Sequence, residues 1–260
     1  MHKRGQITVF IILGILIVAV LGIIFYLYNV KVAPETKKQS EFDFSKTEVI
    51  KNYIESCIEK SGNEALSLIG KQGGEINPGF YQYYKTDKIS YLCYTTSFSA
   101  CYNKKPFLSE FVKNEIDTYV KQKITSCIND LNKAVKDKGY SIQTGTVNLN
   151  TKINPYTTMI ELNYPITIRS SSGAEVKQDK FSKNFNIPLG RLINVAEDIV
   201  NGEIKSLQGF FPYQSYILSQ NGEIEITRNT WGNTEIYSTN LRNSNYKFQF
   251  SIQNYVKSFP

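Results

Sequence analysis

Histidine is almost missing from this chain of 260 residues, and the single copy is His2. A Ser-His-Asp triad, a His-ligated zinc or haem and a histidine general base are thereby excluded from everything that follows it. Asn-x-Ser/Thr sequons are absent although asparagine is frequent, so N-linked modification at that motif is not expected. No acidic run has the spacing of an EF-hand loop, and no internal repeat or low-complexity tract is present. Charge of either sign is missing from residues 7–28. At about 1.5 Å per residue this run makes a helix of roughly 33 Å, the length needed to cross a bilayer core.

A secretory signal would have a shorter apolar region ending at a small-residue cleavage site. Here the run ends in Phe25, Tyr26, Leu27 and Tyr28, aromatics suited to the membrane-water boundary. The expectation is a retained anchor after a basic tail of residues 1–6, then a Lys- and Pro-containing tether at 29–44. Lys3 and Arg4 before the span are nearly balanced by Lys31, Lys37 and Lys38 after it, so charge does not set the orientation.

Residues 45–260 read as one α+β ectodomain, helix-rich over 45–138 and strand-rich over 139–260. Val49, Ile50, Tyr53, Ile54, Cys57 and Ile58 have helical spacing, and a second helix from about 106 to 137 carries Val112, Ile116, Val120, Ile124, Cys127 and Leu131 on one stripe. The tyrosine-rich stretch 80–94 predicts strand and turn. After Gly139 the period changes to two: Val147, Leu149, Thr151 and Ile153, then Ile160, Leu162, Tyr164, Ile166 and Ile168. Pro165 within the latter predicts an edge strand or a bulge. Pro188 opens a helix with an apolar face that includes Ala196, Ile199, Val200, Ile204 and Leu207, and alternating segments near 224–236 and 246–252 close the chain. The fold class is α+β: an N-terminal transmembrane helix followed by an ectodomain of long helices packed on an antiparallel sheet.

Four cysteines allow three connectivities. Cys57 and Cys127 both sit on buried helix stripes, while Cys93 and Cys101 bracket a short Ser/Thr/Tyr segment, so the matching pattern joins Cys57 to Cys127 and Cys93 to Cys101; four free buried thiols are the alternative. On the chain-entropy model the long loop contributes about 4 kcal/mol and the short one about 2.5 kcal/mol. Disulfides and an anchor together favour an oxidising, extracellular side.

Motifs for chemistry are weak. Gly70-Lys71-Gln72-Gly73-Gly74 follows a helix and lacks the phosphate-loop order, so it reads as a glycine helix stop. Ser244 and Lys247 spell Ser-x-x-Lys but enter a strand. Glu223 and Glu225 would stand about 7 Å apart on one strand face, a spacing that suits a glycosidase pair, yet Ile224 and Ile226 opposite make them the solvated side of an amphipathic strand. No catalytic residue, metal or cofactor is assigned, and an enzyme is not expected.

Surface character says more. The net charge is +7; setting aside Lys3 and Arg4 leaves 28 basic against 23 acidic residues, scattered along the chain. Nucleic acid is therefore not an expected partner. Eighteen tyrosines are harder to dismiss. Tyr81, Tyr83, Tyr84, Tyr91, Tyr94 and Tyr102 crowd one stretch, and with Trp231 the first five are candidate contacts for a protein or envelope polymer. A tyrosine-rich core layer is the bland alternative.

Lys3-Arg4-Gly5-Gln6 followed at once by an apolar helix resembles the class III signal peptide of archaeal type IV pilin-like proteins. The resemblance implies cleavage between Gly5 and Gln6 and packing of the apolar helix in a homo-oligomer or filament. Phe10 stands where many such proteins carry a Glu. A second likeness, through Cys57, Ala65, Leu66, Leu68, Gly70 and Gln72-Gly73-Gly74, is to uncharacterised membrane-anchored proteins of small-genome archaea. The expected function is a single-pass, membrane-anchored cell-surface protein, embedded in membrane lipid, with a structural or interaction role, as pilin-like subunit, adhesin or envelope component. A ligand-binding ectodomain or non-histidine enzyme with a Tyr/Asn-lined pocket is the alternative.

Overall fold

The computed structural model of this chain describes residues 14–23, 44, 46–205 and 211–254. It divides into two compact units, Met1–Asp43 and Phe44–Pro260. In the first, residues 14–23 are helical, with exposed Ile15, Leu16 and Val18. Among the described residues no helix is long and apolar enough to cross a membrane. The remainder of the 7–28 run, the bond between Gly5 and Gln6, and residues 29–43 lie outside the described residues.

The second unit begins one residue earlier than the pattern suggests. Phe44, assigned above to the tether, is buried, its ring edge-on to Tyr140 at 6.0 Å. Helix α1, Thr47–Lys71, buries Ile50, Ile54, Ile58, Leu66 and Ile69 at intervals of three and four. It stops where expected: Gly73 and Gly74 take φ of 73° and 83°, and Gly74 N–H donates to Ile69 O at 3.0 Å. Helix α2, Leu108–Asp137, buries Val112, Ile116, Val120, Ile124, Ile128 and Leu131, then ends at Gly139 with φ 79°. The two helices pack together and are joined by the Cys57–Cys127 disulfide, Cα atoms 6.4 Å apart.

Among the described residues ten strands form two sheets: β1 Tyr81–Tyr84, β2 Asp87–Tyr94, β3 Tyr102–Asn103, β4 Ser141–Thr144, β5 Asn148–Ile153, β6 Thr158–Arg169, β7 Glu175–Phe185, β8 Ile224–Trp231, β9 Thr234–Leu241 and β10 Lys247–Gln253. The α+β class holds, but a single antiparallel sheet does not. One sheet has four antiparallel strands, β4 to β7; the other runs β1-β2-β10-β9-β8 with β3 on β2, and β10 lies parallel to β2. Pairing of segments so distant leaves no trace in local periodicity.

β6 is the spine of the four-stranded sheet. β7 runs along its length, while β5 takes the first half and β4 the second. Pro165 falls between those halves, where the β7 register shifts. It marks a bulge in a central strand, not an edge, and its carbonyl accepts Gly145 N–H at 2.8 Å. Helix α3, Leu189–Lys205, packs on β9 and β10; α1 touches both β7 and β10, and α2 covers β4 and β5. A short helix α4, Tyr213–Ser219, precedes β8.

Candidate functional site

The alternation of β1 splits the expected tyrosine patch in two. Tyr81 and Tyr83 share one face, ring centroids 5.0 Å apart, with Lys88 Nζ 4.9 Å from the Tyr81 centroid. Tyr84 points the other way and meets Trp231 edge-on at 5.8 Å, with Lys85 Nζ 5.3 Å from its ring. The tips of the β1–β2 and β8–β9 hairpins therefore touch. Tyr83 and Trp231 are each 54% exposed.

Tyr91 is not a surface contact. It is 5% exposed, and its hydroxyl reaches Thr234 Oγ1 at 2.8 Å and Gln82 Oε1 at 3.0 Å. Thr234 Oγ1 donates to Gln253 Oε1 at 3.3 Å, and Gln253 Nε2 donates to Thr95 O at 3.1 Å. A phenol with its oxygen satisfied in this way is a core residue. Tyr94 is half-buried, in a trio with Phe80 at 4.7 Å and Tyr91 at 4.9 Å. Some of the tyrosines are thus surface rings and others are core.

Cys93 and Cys101 are bonded, Cα atoms 5.4 Å apart, beneath the antiparallel β2–β3 pair. The loop they close carries Phe98 at its tip, 92% exposed. Periodicity could not single out Phe98, because it lies between strands; its place inside a short disulfide loop was the available signal.

A groove of about 510 Å³ opens where four connecting segments converge. Tyr156 comes from the β5–β6 loop, Asn186 and Pro188 from the β7–α3 link, Asn221 to Glu223 from the α4–β8 turn, and Leu241 to Ser244 from the end of β9 and the turn into β10. Asn221 and Gly222 both have left-handed backbone, φ 53° and 68°, pinned by N–H donation to Leu218 O and Ile217 O. Glu223 and Glu225 are exposed, the amphipathic-strand side expected for them. Sequence reading missed the groove, although the asparagines at 240, 243 and 245 and the Asn221-Gly222 turn were visible in it.

Beneath the six-stranded sheet lies Glu203, 2% exposed. Its Oε1 accepts from Tyr237 Oη at 2.6 Å and Phe211 N at 2.9 Å, and Oε2 from Asn254 Nδ2 at 3.4 Å. Burial, then the Glu203 charge, pushes the Tyr237 phenol well above its ordinary range. The expected apolar face of α3 thus contains a carboxylate at 203, whereas Ile204 is only half-buried and Leu207 lies outside the described residues. With Oε1 accepting from both Tyr237 and Phe211, Glu203 is an anchor for the strand β9 and for Phe211.

Among the described residues no three His, Cys, Asp or Glu side chains come together to hold a metal ion. No family model, curated protein or solved structure matches this chain.

Proposed function

We propose that the chain is a single-pass, membrane-anchored surface protein of the pilin-like, adhesin or envelope kind, whose second unit works by contact with a protein or envelope polymer. The observation that carries the contact reading is the edge strand β1, which turns rings to both faces: Tyr81 and Tyr83 to one, Tyr84 with Trp231 to the other. Such rings supply large contact area with little rotamer entropy to lose. Lys85 and Lys88 beside them add a cationic rim. The uncharged run at 7–28 supports the anchor, and two disulfides favour an oxidising side. No catalytic role or cofactor is part of this reading.

A photo-crosslinking side chain at Tyr83 in native membranes tests the contact surface, with exposed Lys133 on α2 as reference position. A discrete adduct from Tyr83 alone is expected; equal, diffuse labelling from both positions would remove the surface. Release of the full chain by alkaline carbonate would remove the anchor. Retention of Met1 to Gly5 in the intact mass would remove the pilin-like version.

A further inference from the structure

We propose that the groove between Tyr156 and Arg242 is a binding site for an acidic oligosaccharide. Its volume, about 510 Å³, lies within the range of ligand pockets, roughly 300–1,000 Å³. The wall chemistry sets the class. Tyr156, 61% exposed, presents an aromatic ring on which a pyranose face can lie. Asn186, Asn221 and Asn243 each offer both a donor and an acceptor, which is what neighbouring sugar hydroxyls need.

The charged groups supply the acidic preference. Among the described residues, neither the Arg242 guanidinium nor the side chains of Glu223 and the three asparagines has a hydrogen bond or ion pair with another protein group. Arg242 is thus a free planar fork, suited to a carboxylate, while Glu223 can accept hydroxyls. Free oligopeptides, with a carboxylate for Arg242 and an ammonium for Glu223, are the competing ligand class, for which triglycine serves as the control.

The walls are held in shape by backbone, so binding orders side chains but little of the main chain. Arg242 N–H donates to Glu223 O at 2.9 Å, tying two walls together. Arg242 Nη2 lies 3.5 Å from where a β-carbon on Gly222 would stand, an ordinary contact distance, so it is the left-handed φ of 68° that favours glycine at this turn. On the adjoining wall, Arg191 N–H donates to Pro155 O at 3.2 Å and holds the loop that bears Tyr156.

An array of uronic-acid and neutral oligosaccharides, probed with the full chain, tests this, followed by titration of the captured glycans. Preferential capture of uronic-acid glycans is expected, weakened about tenfold or more by Arg242→Ala and by Tyr156→Ala, and less by Arg242→Lys, which keeps the charge but loses the fork. Trp231→Ala leaves the titration unchanged, which separates this site from the β1 surface. Both Arg242 and Tyr156 are exposed and without side-chain partners, so their variants fold. Capture of no glycan, equal capture of neutral ones, binding that survives Arg242→Ala, or displacement by triglycine each overturns the proposal.

Discussion

The two sheets are built from opposite kinds of material. β4 to β7 lie within residues 141–185, each strand pairing with a near neighbour in the chain. The six-stranded sheet joins residues 81–103 to residues 224–253. The first sheet is specified by apolar alternation: Ile160, Leu162, Tyr164, Ile166 and Ile168 on β6 fill one face, and a slip of one residue would expose them all. The second is threaded with buried polar groups. Ser251 Oγ donates to Ile89 O at 3.1 Å and to Ser90 O at 3.0 Å, across 162 and 161 positions of chain. Tyr91, Thr234 and Gln253 link three strands, and Glu203 holds β9 to α3. Polar groups of this kind are satisfied in one register only, so they fix pairings that local turns cannot. The difference teaches that the distant β2–β10 pairing carries buried hydrogen bonds from Ser251 in addition to its apolar residues, whereas β6 in the local sheet is matched chiefly by its hydrophobic pattern.

Removing Glu203 should break that comparison first. Glu203→Ala leaves Tyr237 Oη, Phe211 N and one Asn254 donor without their acceptor, for a loss of about 3–5 kcal/mol. The measurement is the urea midpoint at unchanged slope, with hydrogen exchange to locate the opening. Amides of Tyr237 and Phe250 should exchange faster than those of Ile160 and Ile168. Equal acceleration in both sheets would mean they open as one unit and the distinction has no energetic content. Glu203→Gln should recover much of the loss, because its amide oxygen still accepts from Tyr237 and Phe211.

The same contrast explains what could be read in advance. The stripes of α1 and α2, the β5–β6–β7 succession and the glycine stop at Gly73-Gly74 all depend on residues a few positions apart, where the side-chain period speaks directly. The Cys57–Cys127 pairing followed from the same stripes, and Cys93–Cys101 from the short segment those two cysteines bracket. The parallel β2–β10 pair did not, since Tyr91 and Ser251 carry no mark of each other. For the same reason the tyrosine run looked like one patch: Tyr91 is covered by contacts with distant chain, its hydroxyl on Thr234 of β9 and its strand paired to β10. The groove is assembled from four turns, and turn residues have no period at all. Glu203 was legible in principle, as a carboxylate at the buried spacing of Ala196, Ile199 and Val200.

A smaller effect sharpens the comparison within α1, which touches both sheets. A methyl on Gly70 would stand 2.5 Å from Lys247 O and 2.9 Å from the Tyr246 ring. Backbone cannot move aside cheaply, so Gly70→Ala should destabilise by about 2–3 kcal/mol, net of the helix propensity gained. A methyl on Gly62 meets Phe185 Cζ at 2.4 Å and Ile160 Cδ1 at 3.0 Å, both side-chain ends. Rings can tilt, and Gly62→Ala should lose only about 1 kcal/mol. Thermal melts of the two variants side by side check the order. If Gly62→Ala proves the worse, the four-stranded sheet is the more rigidly seated of the two.

The least effect is one of pH, and it concerns the locally built sheet. Asp117 on α2 reaches β5, where its Oδ1 accepts from Thr151 N at 3.0 Å and Thr151 Oγ1 at 2.6 Å. Burial holds its carboxyl above the usual carboxylate range, although the two Thr151 hydrogen bonds work in the other direction. The folded chain therefore keeps this proton at pH values where the unfolded chain has released it. Between the ordinary carboxylate pKa and the raised folded one, the native state binds more protons than the unfolded state, so this group's share of stability declines as pH rises. Asp117→Asn keeps an oxygen to accept from both Thr151 donors and does not titrate. Urea midpoints of the two proteins, compared across the acid range, should thus diverge in favour of the variant as pH increases through that window and run parallel above it. A difference that grows in the wild-type chain's favour would show that the Thr151 hydrogen bonds outweigh burial, and that hydrogen bonding governs the contact under the local sheet as it does in the distant one.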